Sequence, residues 1–510
     1  MELNREKPEP GGPRGGGPER LHGGAVINRV RRTHGAALAF LLIGDFAGCT
    51  TNPATGEREI LLIGESQEIQ MGREADPQVV ASLGLYEDEA VQRYVNQIGQ
   101  RLAAASERPD LPWTFRVIDD PTVNAFALPG GYIYIMRGIL THLNSEAELA
   151  DILGHEIAHV TARHAVSQIS RVQLAQLGVG LGMIIVPELA AFGDLAGAGL
   201  QLLFLSYGRG AENEADELGV RYLRRTNYEP IELADVMLML ERASQISESS
   251  GRVPEWLSTH LNPANRVGNI LAEVRNTQAE AAGSGSAVVR RDEYIRRIDG
   301  MVFGMNPREG FFEGSTFLHP DLRFRFDFPS GWRTLNQKQA VQGVSSSQDA
   351  AITITLAQGM PAQAMRSFAA EQNVQTIGTR EQTSNELSAV TAEFAAATHQ
   401  GVVRGVVAFV AHGNHTYQLL GYTPESRWGA YANAISRSLG SFVRLTDQAA
   451  LSAQPERVDV VEAPSDMTLS TFLQRYPSSE ELEIVALINH LEGNVRLGSG
   501  ALYKRVVSGR

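Results

Sequence analysis

Apolar residues recur every three or four positions in "SQEIQMGREA" and "EAVQRYVNQIGQRLAAAS", so the chain from Thr50 to about Asp110 is expected to be helical. The period then changes to two. In "FRVIDDPTVNAFALPGGYIYIMRGIL" a Pro129-Gly130-Gly131 turn signal leads into an alternating stretch, Tyr132 to Met136, that predicts a strand. "SEAELADILGHEIAHVTARHAVSQ" returns to helical spacing, with Ser145 as N-cap and Glu148 three residues on to complete a capping box.

A nearly uncharged stretch at 174–205 follows, but Pro187, Glu188 and Asp194 interrupt it. Its apolar runs are short, which favours a pair of buried or groove-covering helices over a hairpin dipping into a membrane. A helical stretch ends near Arg275, and "NTQAEAAGSGSA" reads as a flexible connector within a linking segment at 276–315. Beyond it, "LRFRFDFPSGW", "AAITITLA" and "GVVRGVVAFVAHGNHTYQLLGYT" alternate like strands, with "HGNH" as a hairpin turn and helices at about 361–374 and 425–440. Residues 316–445 are therefore expected to form an α+β domain, and the order of elements resembles the PsbP/Mog1 type of fold. The segment 457–507 has the order strand, helix, helix, strand and resembles a degenerate LysM module, a kind that binds peptidoglycan. Ser465-Asp466-Met467-Thr468 stands where such modules open with Gly-Asp-Thr, which weakens any expectation of glycan binding.

A chain of 510 residues should hold two to four domains. Its net charge of -13 argues against a nucleic-acid partner, which would require a basic face. The first 25 residues are rich in Gly and Pro and lack apolar periodicity. After them, Arg29, Arg31 and Arg32 precede an apolar run from Ala36 to Ile43 and then small residues before Cys49, the order of a secretory signal. Residues 1–48 are read as a disordered leader plus signal peptide, with translation starting at Met1 or near Val26.

"FAGC" resembles the lipobox of bacterial lipoproteins, although Phe46 and Asp45 depart from its usual residues. Cys49 is the single cysteine and cannot form an internal disulfide, so lipid attachment accounts for its position. By that resemblance the chain is expected on the periplasmic side of a bacterial envelope. Thr50, in place of an inner-membrane Asp signal, points to the outer membrane.

"GHEIAHVTARHA" carries the candidate chemistry. Residues four apart on a helix are separated by about 40° around its axis, so His155 and His159 share one face and can reach one ion. Glu156 is a step round, within reach of a water on that ion. That is the content of H-E-x-x-H. A third histidine, His164, lies nine residues after His155, half a turn away on a continuous helix, and reads as a packing histidine or a partner of a ligand. The remaining ligand is sought on a second helix, "GAENEADELGVRYL", where Glu212 and Asp216 stand one turn apart. One carboxylate can bind metal while the other accepts from a ligand histidine. Glu214 and Glu217 fall on other faces and are expected to be solvated. His412 and His415 flank a hairpin turn, while His319, His399 and His490 lack neighbours at ligand spacing.

Together "NAFALPGGYIYIMRGIL", "LGHEIAHVTARHA", "ENEADELG" and "LSTHLNPANR" resemble the M48 family of zinc metallopeptidases, gluzincins with H-E-x-x-H and a downstream E-x-x-A-D, over about residues 50–275. The resemblance implies a mainly helical, zincin-like domain with one Zn2+ held by His155, His159 and Glu212, and with Glu156 as general base. Leu261 follows the histidine of "STHLNP" where the family commonly has Pro. Asp216 and Arg266 are expected to support the ligands from beside them. His260 is the candidate oxyanion donor, with Arg266 a second one; His260 could instead bind the metal and silence the site. Gly131, Tyr132, Ile133 and Tyr134 are expected to form an edge strand that pairs with an extended substrate.

The expected function is a lipid-anchored metalloendopeptidase acting on unfolded or misassembled envelope proteins, with peptidoglycan as a weaker partner for the terminal module. The alternative is a chaperone-like or cell-wall-binding lipoprotein with a largely latent zinc site.

Overall fold

A small two-stranded sheet, Cys49–Thr51 with Arg58–Ile60, stands where helix was expected from Thr50, and two helices follow it, α1 (Glu65–Leu83) and α2 (Glu89–Ala104). The carboxylate of Asp88 caps α2 by accepting from the N–H groups of Ala90 and Val91. Val91, Val95, Ile98 and Leu102 recur at helical spacing and place one face of α2 in the main core. The structure, a computed structural model, describes residues 49–176, 207–249, 260, 264–278, 286–398 and 401–509. The leader and signal at 1–48, and nearly all of the apolar stretch expected to form paired helices, lie outside the described residues. Among those described, no helix is long and apolar enough to cross a membrane.

Strands β1 (Thr114–Ile118), β2 (Ala125–Leu128) and β3 (Tyr132–Met136) form a small sheet in the order β1-β3-β2, with β3 parallel to β1 and antiparallel to β2. The strand at Tyr132–Met136 is therefore central, with both edges paired and all five residues buried. This corrects the expectation that Gly131, Tyr132, Ile133 and Tyr134 form a substrate-binding edge. Alternation betrays a strand, but a stretch apolar on both faces belongs in the middle of a sheet. The free edge beside the helix that bears His155 and His159 belongs to β2, which has no strand on its outer side among the described residues.

After a short helix α3 (Arg137–His142) comes α4 (Glu146–Thr161), every residue of which is buried. Its N-terminus is capped as expected by Ser145, whose Oγ accepts from the Glu148 N–H at 3.1 Å. The return bond is shifted by one residue: the Glu148 carboxylate accepts from the N–H of Asn144. At the far end α4 stops because Arg163 adopts φ 55°, in the left-handed region, and α5 (His164–Gln176) sets off in a new direction.

Helix α6 (Arg209–Arg225) packs on α4 at a point where glycine faces glycine. A Cβ at Gly154 would lie 3.6 Å from the Gly219 carbonyl oxygen, and one at Gly219 would lie 3.4 Å from the His155 nitrogen. The two backbones thus meet at the turn that begins the H-E-x-x-H sequence. Helices α7 (Glu232–Ser249) and α8 (Ala264–Gln278) complete the bundle.

The segment expected as a linker is only partly one. Helix α9 (Arg291–Arg297) and strand β4 (Val302–Phe303) lie within it, and Tyr294, Ile295, Ile298 and Met301 are buried in the same core as α4. Gly/Ser content marks a connector at 276–286 but says nothing about the apolar residues that follow.

The α+β region carries seven antiparallel strands: β5 (Arg333–Asn336), β6 (Ala340–Val344), β7 (Ala351–Ala357), β8 (Val374–Ser384), β9 (Leu387–Thr398), β10 (Gly401–His412) and β11 (His415–Pro424). Their order is β5-β6-β7-β11-β10-β9-β8. His412 pairs with His415 across the Gly413-Asn414 turn. Helices α10 (Pro361–Ala369) and α11 (Trp428–Leu439) pack into separate apolar clusters on this sheet, and a four-stranded sheet adds Phe317, Phe324 and Phe326 to the α11 cluster.

In the terminal unit β12 (Glu456–Glu462) pairs with β13 (Leu502–Val507), and α12 (Leu469–Arg475) and α13 (Leu482–Ile488) lie between them in sequence. Its β12 also pairs with β4, and its Leu487 and Leu502 join the core around α4.

The Gly154/Gly219 contact leaves room for a methyl group at ordinary van der Waals distance and for little more. Gly219→Ala is expected to keep both fold and metal affinity. Gly219→Leu is expected to lose about 1–3 kcal/mol of stability and to weaken zinc binding by spreading the ligand helices. Thermal melts and zinc titration of the two variants check this.

Candidate metal centre

Four buried side chains converge in the space between α4, α6 and the segment leading to α8: His155, His159, Glu212 and His260. One ligand atom from each lies within 4.8 Å of all the others. The Nε2 atoms of His155 and His159 are 3.1 Å apart, as their spacing on α4 dictates. Glu212 offers Oε2 at 3.6 Å from His155 Nε2 and Oε1 at 3.5 Å from His159 Nε2. His260 directs Nδ1 to the same carboxylate at 3.1 Å, while its Nε2 lies 3.6 Å from Glu156 Oε1.

The donor set suits a small divalent cation. Two imidazole nitrogens and a carboxylate, all at most 2% exposed, face one point. A cation there satisfies both lone pairs and the anion, and histidine nitrogen with carboxylate oxygen is a common zinc set. Glu156 stands beside it, 1% exposed, and among the described residues its Oε1 has no hydrogen-bond partner. Burial raises its carboxyl above the ordinary value, although the neighbouring His260 and His155 pull the other way.

The supporting contacts are specific. Asp216 Oδ1 lies 3.1 Å from His155 Nδ1, so with Nε2 turned to the metal the His155 Nδ1–H donates to Asp216. Arg266, from α8, donates from Nε to Asp216 Oδ2 at 2.8 Å and from Nη2 to Oδ1 at 2.5 Å, and its Nη1 lies 2.9 Å from Glu212 Oε2. This guanidinium is 3% exposed and lies against two carboxylates, which it neutralises and aligns from the supporting position expected for it beside Asp216. Burial alone would raise Asp216, but Arg266 holds it below the ordinary carboxylate value. Burial would also raise Glu212, yet the His260, His155 and His159 rings hold it well below. His159 is driven well below the ordinary histidine value by burial and by the charge of His155. Against burial and Arg266, the hydrogen bonds to Asp216 and Glu212 hold His155 up at about 9.

His164 does not join the ligand cluster, but helix periodicity is not the reason. The chain breaks at Arg163, and the His164 ring turns back so that its Nδ1 lies 2.9 Å from His159 Nδ1. Its Nε2 lies 3.0 Å from Glu214 Oε2, so Glu214, expected to be solvated, is engaged as well. Tyr207 is a neighbour that sequence reasoning missed. Its ring stacks on His159 with centroids 4.1 Å apart and planes 21° apart. The only signal for it was an aromatic residue just before the Gly208 N-cap of the ligand helix. Beside His159, Arg163 and Tyr207 a small cleft opens, walled on its other side by Ala127, Leu128 and Pro129 at the end of β2.

Arg266→Ala is expected to destabilise the metal-free protein by about 3–5 kcal/mol, since two buried carboxylates lose their counter-charge. Arg266→Lys should recover only part of this, because an ammonium cannot make the two-pronged contact. Chemical denaturation in the presence of a chelator provides the measurement.

Residues 89–274 match the model for peptidase family M48. The beta-barrel assembly-enhancing protease of Yersinia pestis is 32% identical over 219 residues, 41% of this chain and 43% of that protein. Its counterpart in Escherichia coli K12 is 31% identical over 46% of this chain and 47% of its own. A mitochondrial metalloendopeptidase of Schizosaccharomyces pombe is 30% identical over 43% of this chain and 64% of its own. The chain thus spans about half the length of the bacterial relatives it matches. A solved cyanobacterial PsbP from Synechocystis is similar to 26% of this chain and 93% of its own, at 14% identity and a TM-score of 0.22. Family match and buried ligand cluster coincide: residues 89–274 are similar to the metallopeptidases of family M48, and the converging side chains within that span form a plausible zinc-binding site.

Proposed function

We propose that this protein is a zinc-dependent endopeptidase that cleaves unfolded or misassembled proteins of the bacterial envelope. The observation that carries the reading is the buried convergence of His155, His159 and Glu212 with the partnerless Glu156 oxygen beside them. A zinc ion held by those three residues would polarise the scissile carbonyl and acidify an adjacent water. Glu156 takes the proton of that water and passes it to the leaving amine, a role to which a carboxyl raised by burial is matched. The open outer edge of β2, next to the cleft against His159, is the surface on which an extended substrate chain would pair.

The proposed substrate class rests on the relatives named for barrel assembly and on the signal-like segment before Cys49, whose lipidation would tether the enzyme to the outer membrane. The terminal βααβ unit remains a weaker candidate for contact with peptidoglycan.

His260 has two roles open to it. Its Nε2 near Glu156 can donate to the oxyanion of the tetrahedral intermediate. Its place among the four converging side chains equally suits a fourth ligand that holds the enzyme latent.

Glu156→Gln is expected to keep stoichiometric zinc and to lower casein cleavage by about 100- to 10,000-fold. Wild-type protein with full zinc, no cleavage and undiminished client binding would instead mark a chaperone-like protein. His260→Ala separates the two roles: activity falls if the ring is an oxyanion donor and rises if it is a latch.

A further inference from the structure

We infer that His164 and Glu214 form a relay that fixes the tautomer of His159 and so presents its Nε2 to the metal, making His164 a positioning residue of the site. The inference rests on the zinc reading above. It follows from counting protons along the chain of contacts, starting at the outer end.

His164 Nε2 lies 3.0 Å from the Glu214 carboxylate, an acceptor, so this nitrogen carries a proton. With that single N–H on the ring, His164 Nδ1 would be a lone pair. That lone pair lies 2.9 Å from His159 Nδ1, so the latter must be the donor. His159, neutral in turn, is left with a bare Nε2, and this atom faces His155 Nε2 and Glu212. One carboxylate at the rim therefore determines where the lone pair of a buried ligand points, two rings away.

The two ligand histidines are thus held by different means. His155 donates directly to Asp216, which is clamped by Arg266. His159 donates to a second imidazole, and only the end of its arm is a carboxylate, on a Glu214 side chain 29% exposed. Both arms end on α6, the helix that also supplies Glu212. Packing alone would not require this arrangement. Tyr207 already covers a face of the His159 ring, whereas His164 meets it edge-on, at 73° between planes, as a hydrogen bond in the ring plane allows. The geometry depends on the left-handed turn at Arg163, which brings His164 back over the end of α4.

The test is zinc affinity of the full chain, measured by competition with a chromophoric chelator and independent of any peptidase assay. His164→Leu removes the acceptor and should weaken zinc about 10- to 100-fold. His164→Gln supplies an amide oxygen to the same N–H and should recover part of the loss. Glu214→Leu should fall between wild type and His164→Leu, and Glu217→Gln, on an exposed neighbour of the same helix, should leave affinity unchanged. Zinc affinity in His164→Leu equal to that of wild type overturns the relay while leaving the metal site standing; wild-type protein that takes up no zinc overturns both. Nitrogen-15 spectra of histidine-labelled, zinc-loaded wild type decide the matter even if the variants fail to fold. A protonated Nε2 on His164 supports the relay, and a protonated Nδ1 overturns it.

Discussion

The structure turns on the neutralisation of charge in a site from which water is nearly excluded. Glu212 and Asp216 sit one turn apart on α6, at 1% and 4% exposure, and neither could be ionised there without cationic or polar company. That company comes from three other places: the imidazoles on α4, His260, and the guanidinium on α8 that touches both acids. Placement of the helices and placement of the charges are therefore one problem. The bare backbone contact at Gly154 and Gly219 lets the helices approach closely enough for the solution to exist.

What could be read from the sequence was whatever follows from a fixed period. His155 and His159 share a face because any helix makes them do so, and Glu212 and Asp216 were found by the same arithmetic on a second segment. Their meeting in space was a matter of family resemblance, since spacing within one helix is silent about the approach of another. The arithmetic failed where periodicity stopped. A continuous helix through Arg163 puts His164 on the far side, whereas the left-handed residue there returns it to His159 and engages Glu214. Strand pattern gave the existence of Tyr132–Met136 but not its neighbours, because alternation carries no information about which strand lies outermost. The segment 291–301 was hidden by the Gly/Ser-rich stretch before it, although Tyr294, Ile295 and Ile298 have the spacing of a buried helix face.

The accessory regions differ in how closely they are tied to the site. The seven-stranded sheet has its own apolar clusters. The terminal βααβ unit shares the catalytic core instead: Asn144 donates to the Ile488 carbonyl, and a ring nitrogen of His490 lies 3.0 Å from the His142 carbonyl oxygen. The βααβ unit thus props the N-terminal end of the helix that bears His155 and His159.

Lys504 is the extreme case of this dependence. Its side chain is wholly buried, and Nζ donates to the carbonyls of Thr141 at 3.0 Å and Leu143 at 2.7 Å, just ahead of α4. These bonds close a loop of 361 residues. A contact of such long range carries a large loop-closure cost and is expected to form late in folding, after the local helices. One buried ammonium thereby ties the start of the histidine-bearing helix to a strand of the βααβ unit, and a change in that strand would be felt at the helix start.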